Sequence, residues 1–138
     1  MSAYGGGLDV VLGVAAVDLS GFQYCPVKLI STGVDISDAA GEVVNGVLQN
    51  APTAGQPAVV RIAGMTKLRA GTTISAIGVN LTAEVTTARA IPVTGTAITD
   101  NDEFIFAKSL QTAADGEYFE ALITLLGVNQ AYPILTIT

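Results

Sequence analysis

The chain has no histidine, no tryptophan, a single cysteine and few charges of either sign. Without histidine it lacks the commonest general base and the commonest zinc ligand. A Ser-His-Asp or Cys-His device cannot be built within one copy, and zinc sites made from Cys and His fall with it. Cys25 is alone, so no intrachain disulfide can form; ahead of Pro26 at the head of an apolar strand, it reads as a small buried hydrophobe. The want of tryptophan and the small number of other aromatics disfavour a carbohydrate-stacking platform. No G-x-x-x-x-G-K-[ST] loop occurs, and Gly5-Gly6-Gly7 has no strand before it to aim a phosphate site.

Charge is scarce in a way that speaks about partners. Only 13% of the 138 residues are charged, too few for the surface of a free-standing monomer of this size, so much of that surface is expected to be covered by other protein. The net charge of −6 argues against nucleic acid and against anionic membrane surfaces, both of which need basic stripes. Arg61, Lys67 and Arg69 form the one local basic cluster and read as a solvated face. Most carboxylates fall in turns, at Asp35, Asp38, Asp100, Asp102 and Asp115, where such side chains bond nearby backbone. Asp100-Asn101-Asp102-Glu103 lacks the spacing and glycine of a calcium loop and reads as a solvated turn. The expectation is a protein with no catalytic residues, no metal and no cofactor.

What the chain does have is aliphatic mass: half of it is apolar, chiefly Ala, Val, Ile and Leu. Met1–Tyr4 carries no basic leader, and the run Val10–Val17 stops at Asp18, so no secretory signal is expected. The uncharged end, Ala121–Thr138, is interrupted by Gly127, Asn129, Gln130 and Pro133 and reads as strands around a turn, not a bilayer helix. A soluble protein made in a cytoplasm is expected.

Short β-branched runs bounded by Gly, Asp, Asn and Ser predict strands at Asp9–Val14, Val27–Ile30, Val43–Gln49, Ala58–Ala63, Thr66–Leu68, Thr73–Ile77, Glu84–Thr87, Glu103–Leu110, Tyr118–Leu125 and Ile134–Thr138. Tyr118, Phe119, Leu122, Ile123 and Leu126 also fit helical spacing, but the segment is read as a strand; a short helix is allowed near Ser37–Ala40. The fold class is all-β, a small β-sandwich or barrel-like domain over residues 8–138. Residues 1–7, ending in three glycines, form a flexible N-terminal arm.

One phrase occurs twice. Gly46-Val47-Leu48-Gln49-Asn50-Ala51 passes through Gly55 into Ala58–Gly64, and Lys108-Ser109-Leu110-Gln111-Thr112-Ala113 passes through Gly116 into Tyr118–Ile123. Each copy reads as strand, small-residue turn and returning strand. With Gly13–Gly21, Pro26–Ser31 and Met65–Gly71, these segments resemble the capsid decoration (cement) proteins of bacteriophages, which share a repeated G-V-A-L-x-x-A-x-x-G phrase. The second copy departs from it at Ala107-Lys108-Ser109, and residues after Gly127 lie outside the likeness.

The resemblance implies a β-rich homotrimer on the exterior of an icosahedral phage head, clamping neighbouring copies of the major capsid protein. A trimeric tail or fibre component and a non-catalytic carbohydrate-binding module remain as alternatives. The candidate capsid-binding residues are Tyr4, the arm's one aromatic, and Leu8, Val10 and Leu12, which alternate with Asp9 and Val11 as an added edge strand would. The same alternation also fits a first core strand.

Overall fold

The computed structural model describes residues 6–39, 41–93 and 103–129, and these contain strands, turns and no helix. The strands are β1 (Gly7–Val14), β2 (Pro26–Ile30), β3 (Gly33–Ile36), β4 (Gly46–Leu48), β5 (Pro57–Arg69), β6 (Asn80–Ala83), β7 (Ala90–Pro92), β8 (Glu103–Ser109) and β9 (Tyr118–Asn129). The all-β class is as expected, and the segment with helical spacing is the strand β9.

Several boundaries differ from the sequence reading, each for a local reason. Ala58–Ala63 and Thr66–Leu68 are one 13-residue strand, continuous through Gly64. Thr73–Ile77 is not a strand; only Ile74 pairs, trading backbone bonds with Ala113 at 2.8 and 3.0 Å. Glu84–Thr87 is a turn closed by the Glu84 amide on the Arg89 carbonyl at 2.7 Å, and the strand lies just before it, in β6. β3 and β7 were not foreseen. Ser37–Ala39 is loop rather than helix, its amides at Asp38 and Ala39 donating to the Glu42 carboxylate. Met1–Gly5 and Ile134–Thr138 lie outside the described residues, and Gly7, counted with the arm, already pairs with Gly64.

The strands make one sheet in the order β3-β2-β4-β5-β9-β8-β6-β7, with β1 also on β5. The named pairings are antiparallel, but two isolated parallel bridges curl the sheet's ends inward, Ala15 to Val34 and Ala70 to Ala90. The result is two barrel-like units that share β5. In the first unit β1 pairs β5, β2 pairs β3 and β4, and β4 pairs β5. In the second, the end of β5 pairs β9, β6 pairs β7 and β8, and β8 pairs β9. The second unit therefore repeats the first strand for strand.

The repeat holds to single hydrogen bonds. Ala15 and Ala70 amides donate to the Gln56 and Glu117 carbonyls, both at 2.8 Å, and their own carbonyls take the Gly55 and Gly116 amides, again at 2.8 Å. The Val59 and Glu120 amides donate to side-chain oxygens of Asn50 and Gln111 at 3.0 and 2.9 Å. Thr53 and Ala114 amides donate to side-chain oxygens of Gln56 and Glu117 at 2.9 and 2.8 Å. The phrase seen in the sequence is one residue out of step with this: Gln49, not Leu48, corresponds to Leu110, since both amides bond the returning strand, to Val59 and Glu120.

Each unit has its own core. Leu19, Val27, Val34, Leu48, Ala58 and Val60 fill the first; Leu68, Ile74, Leu81, Phe106, Phe119 and Ala121 fill the second. Several contacts cross between them: Val44 and Val47 of the first unit pack in the second core, and the Thr86 amide donates to the Asp38 carbonyl at 2.8 Å. Ala88, on the β6–β7 turn of the second unit, is buried in the first core. The Gln49 side chain of the first unit donates to the buried Thr66 hydroxyl at 2.9 Å, so that polar group is satisfied inside.

Gly55 and Gly116 stand at φ 85° and 86° with open space where a Cβ would go. Alanine there meets no atom and suffers only the left-handed backbone, about 1–2 kcal/mol. Gly55→Ala and Gly116→Ala should lower the urea-unfolding free energy by similar amounts of that size. Unequal costs, or none, would show that the two turns are not equivalent.

Candidate interaction surface and inter-unit cleft

β1 and β9 carry apolar side chains on the outside as well as the inside. On β9, Phe119, Ala121 and Ile123 point into the core while Tyr118, Leu122 and Leu126 are exposed, Leu126 by 65%. On β1, Leu8, Val11 and Val14 are exposed, Val11 by 64%, and Leu12 packs against the first core. Of the sequence candidates, Leu8 is therefore outside, Val10 half-buried and Leu12 a core-rim residue, while Tyr4 lies outside the described residues. The alternation that suggested these residues is broken by register shifts between Leu8 and Asp9 and between Val11 and Gly13. Such bulges re-aim side chains without any signal in an apolar run. Val11 and Val14 were missed for that reason.

The basic cluster disperses. Arg61 forks onto Asp9, Nε to Oδ1 at 2.6 Å and Nη2 to Oδ2 at 3.1 Å, while Nη1 donates to the Met65 carbonyl at 2.8 Å. This clasps β1 to β5 outside the first core. The hydrogen bond from Arg61 holds the Asp9 carboxyl below its ordinary pKa, with slight burial opposing. Lys67 is exposed and pairs in register with Glu120. Arg69 turns instead into a cleft between the units.

Gly21, Phe22, Gln23, Cys25, Arg69, Thr87, Arg89 and Tyr118 line that cleft, with a volume of about 220 Å³. β2's approach supplies one wall, the end of β5 and start of β9 another, and the β6–β7 turn the third. Arg69 Nε donates to the Gly116 carbonyl at 3.0 Å, and its guanidinium lies 5.7 Å from the centre of the Tyr118 ring, a cation–π distance. Tyr24 meets the same ring edge-on at 5.9 Å. Burial pushes the Cys25 thiol up to about 11, with Arg89 and Arg69 pulling weakly the other way. Neutral and enclosed, the thiol is no nucleophile near pH 7. Among the described residues no three His, Cys, Asp or Glu gather to hold a metal.

The fold has a counterpart among solved structures. The chain is similar to the N-terminal base of the head fiber gp8.5 of bacteriophage phi29, with a TM-score of 0.58 at 16% identity. The match covers 88% of this chain and 96% of that one. No protein-family model matches the chain, and no curated relative does. At that identity the likeness is one of fold.

Asp9 titrates lower in the folded than in the unfolded chain, so its stabilisation is present above the ordinary carboxylate pKa and fades as pH falls through the folded value. The pair is at the surface, which limits it to about 1 kcal/mol or less. Asp9→Asn should be less stable than the native chain by up to that amount near neutral pH, with the difference vanishing in acid once pH lies below the lowered folded pKa. A difference that persists unchanged in acid would assign the effect to packing instead.

Proposed function

We propose that the chain is a structural protein of a phage virion that binds the exterior of an icosahedral head as a homotrimer and braces the shell by clamping neighbouring major capsid subunits. The observation that carries this reading is the likeness in fold to a head fiber base, which extends over nearly all of both chains. The sequence resemblance to decoration proteins, quoted above residue by residue, supports it independently. So does the composition: 13% charge with valine and leucine exposed on β1 and β9 is surface suited to protein cover. Closed cyclic assembly is the usual way to cover such faces. In this reading the protein acts by binding alone, without cofactor or catalysis. The N-terminal segment through Tyr4, Leu8, Val10 and Leu12 would add to a sheet edge of the capsid subunit.

A second reading has a specific observation in its favour. The similar structure is named as the base of a head fiber, which supports reading this chain as the foot of a projecting fibre. Both readings put it on the head, and they differ in what stands above it.

Purified protein mixed with expanded empty heads of the phage that encodes it should bind to saturation, and sedimentation should give a species of three times 14.0 kDa. Removing residues 1–7 should weaken binding at least tenfold while leaving the fold intact. Heads that take up no protein would sink the reading, and undiminished binding by the truncated chain would remove the arm from it. Electron micrographs of virions separate knobs from fibres.

A further inference from the structure

The inter-unit cleft is cationic in an acidic protein. Lys28 pairs with Glu42 and Arg61 with Asp9, but Arg69 and Arg89 have no carboxylate within ion-pair reach among the described residues. Both are half-buried, so each has given up part of its hydration. The Arg89 guanidinium makes no hydrogen bond there, while its backbone amide is held by Thr87 Oγ1 at 3.3 Å. No acidic residue lines the cleft; Glu84, on the same turn, accepts from the Thr87 hydroxyl. Partly desolvated guanidinium groups without an anion are unfavourable unless a ligand supplies one.

The backbone around the cleft is also unusual. Of the four described non-glycine residues with positive φ, three border it: Tyr24 at 69°, Thr86 at 77° and Ala88 at 57°. They flank the lining residues Gln23, Cys25, Thr87 and Arg89. Such conformations persist only where the surroundings over-determine them, and burial of Ala88 in the first core does so here. The turn is thereby fixed, and Arg89 is presented from a rigid support.

We propose that this cleft binds a carboxylate, the acidic side chain of a docking protein. Arg69 and Arg89 supply the forked donors that match a carboxylate, and the Tyr118 face and Phe22 suit the methylenes that carry it. A nucleic-acid phosphate fits less well, because the net charge of −6 offers no basic track on either side. The inference goes beyond the virion reading and stands without it, since its test uses the isolated chain.

Isotope-labelled full-length protein is titrated with acetyl-glutamate-methylamide, its glutamine analogue, succinate and inorganic phosphate, and amide shifts are followed. The blocked glutamate should give saturable shifts at Gln23, Thr87, Arg89 and Tyr118, with the glutamine analogue silent. Arg89→Gln should weaken binding about tenfold or more, and Arg69→Gln likewise, as expected for loss of one charge-assisted contact. Arg89→Lys, which keeps the charge but not the fork, should fall between and covers the case of a variant that fails to fold. Linear, unsaturable shifts, or equal binding by Arg89→Gln, would overturn the site. Tighter binding of phosphate would overturn the carboxylate assignment, and much tighter binding of succinate would overturn a protein side chain as its source.

Discussion

The pairing of β5 with strands of both units is the constraint from which the rest of the structure follows. Residues Pro57–Gly64 pair with β1, and Gly64–Arg69 pair with β9, so Gly64 faces Gly7 and Ile123 together. Along this one strand Ala58 and Val60 enter the first core and Leu68 enters the second. A slip of one residue against either neighbour would turn a whole set of side chains from core to solvent, so each pairing fixes the other's register. At Gly64 the backbone swings to φ 96°, and the corresponding place in β9, Leu125, is also left-handed at φ 45°. The bend thus belongs to the repeated unit and is not peculiar to one position.

The two units differ where they meet the outside. Arg61 on β5 corresponds to Leu122 on β9, and Asp9 on β1 to Met65 on β5, by their places in the ladders. A forked ion pair in one unit is therefore an apolar pair in the other. Between the units, the inserted Ala88 and the stacked Arg69 and Tyr118 create a seam that neither unit has alone. The seam holds Arg69 and Arg89, which have no carboxylate beside them among the described residues, and β1 and β9 each carry exposed apolar side chains, as do Leu29 on β2 and Val17, Val43, Ile77 and Val85 in the loops. The repeated turns are held by their own backbone and side-chain amide bonds.

Much of the architecture was legible in the residues. Alternation in Ala58–Ala63 identifies one returning strand, and the doubled phrase carries that reading to Tyr118–Leu125, whose own spacing also fits a helix. Its register came out one residue wrong, because sequence similarity aligned Leu48 with Leu110 while the structure repeats acceptors at Asn50 and Gln111. An amide oxygen can come from Asn or Gln, so letters differ where function in the turn does not. β3 and β7 escaped notice because three- and four-residue strands carry too little periodicity. Thr73–Ile77 misled for the opposite reason: its β-branched residues suit a strand, but only Ile74 is buried among them. The cleft was not legible at all, since Gln23, Arg69, Arg89 and Tyr118 come from four separate segments and meet only through closure of the units.

A continuous strand leaves no room for a hinge. Two units joined by a loop can rock; two units threaded on 13 residues of β-structure, roughly 40 Å end to end, cannot change spacing without breaking ladder bonds on both sides. Ala88 and the Gln49–Thr66 bond brace the joint further. Mechanically the two units form one rigid piece, their spacing set by the strand they share.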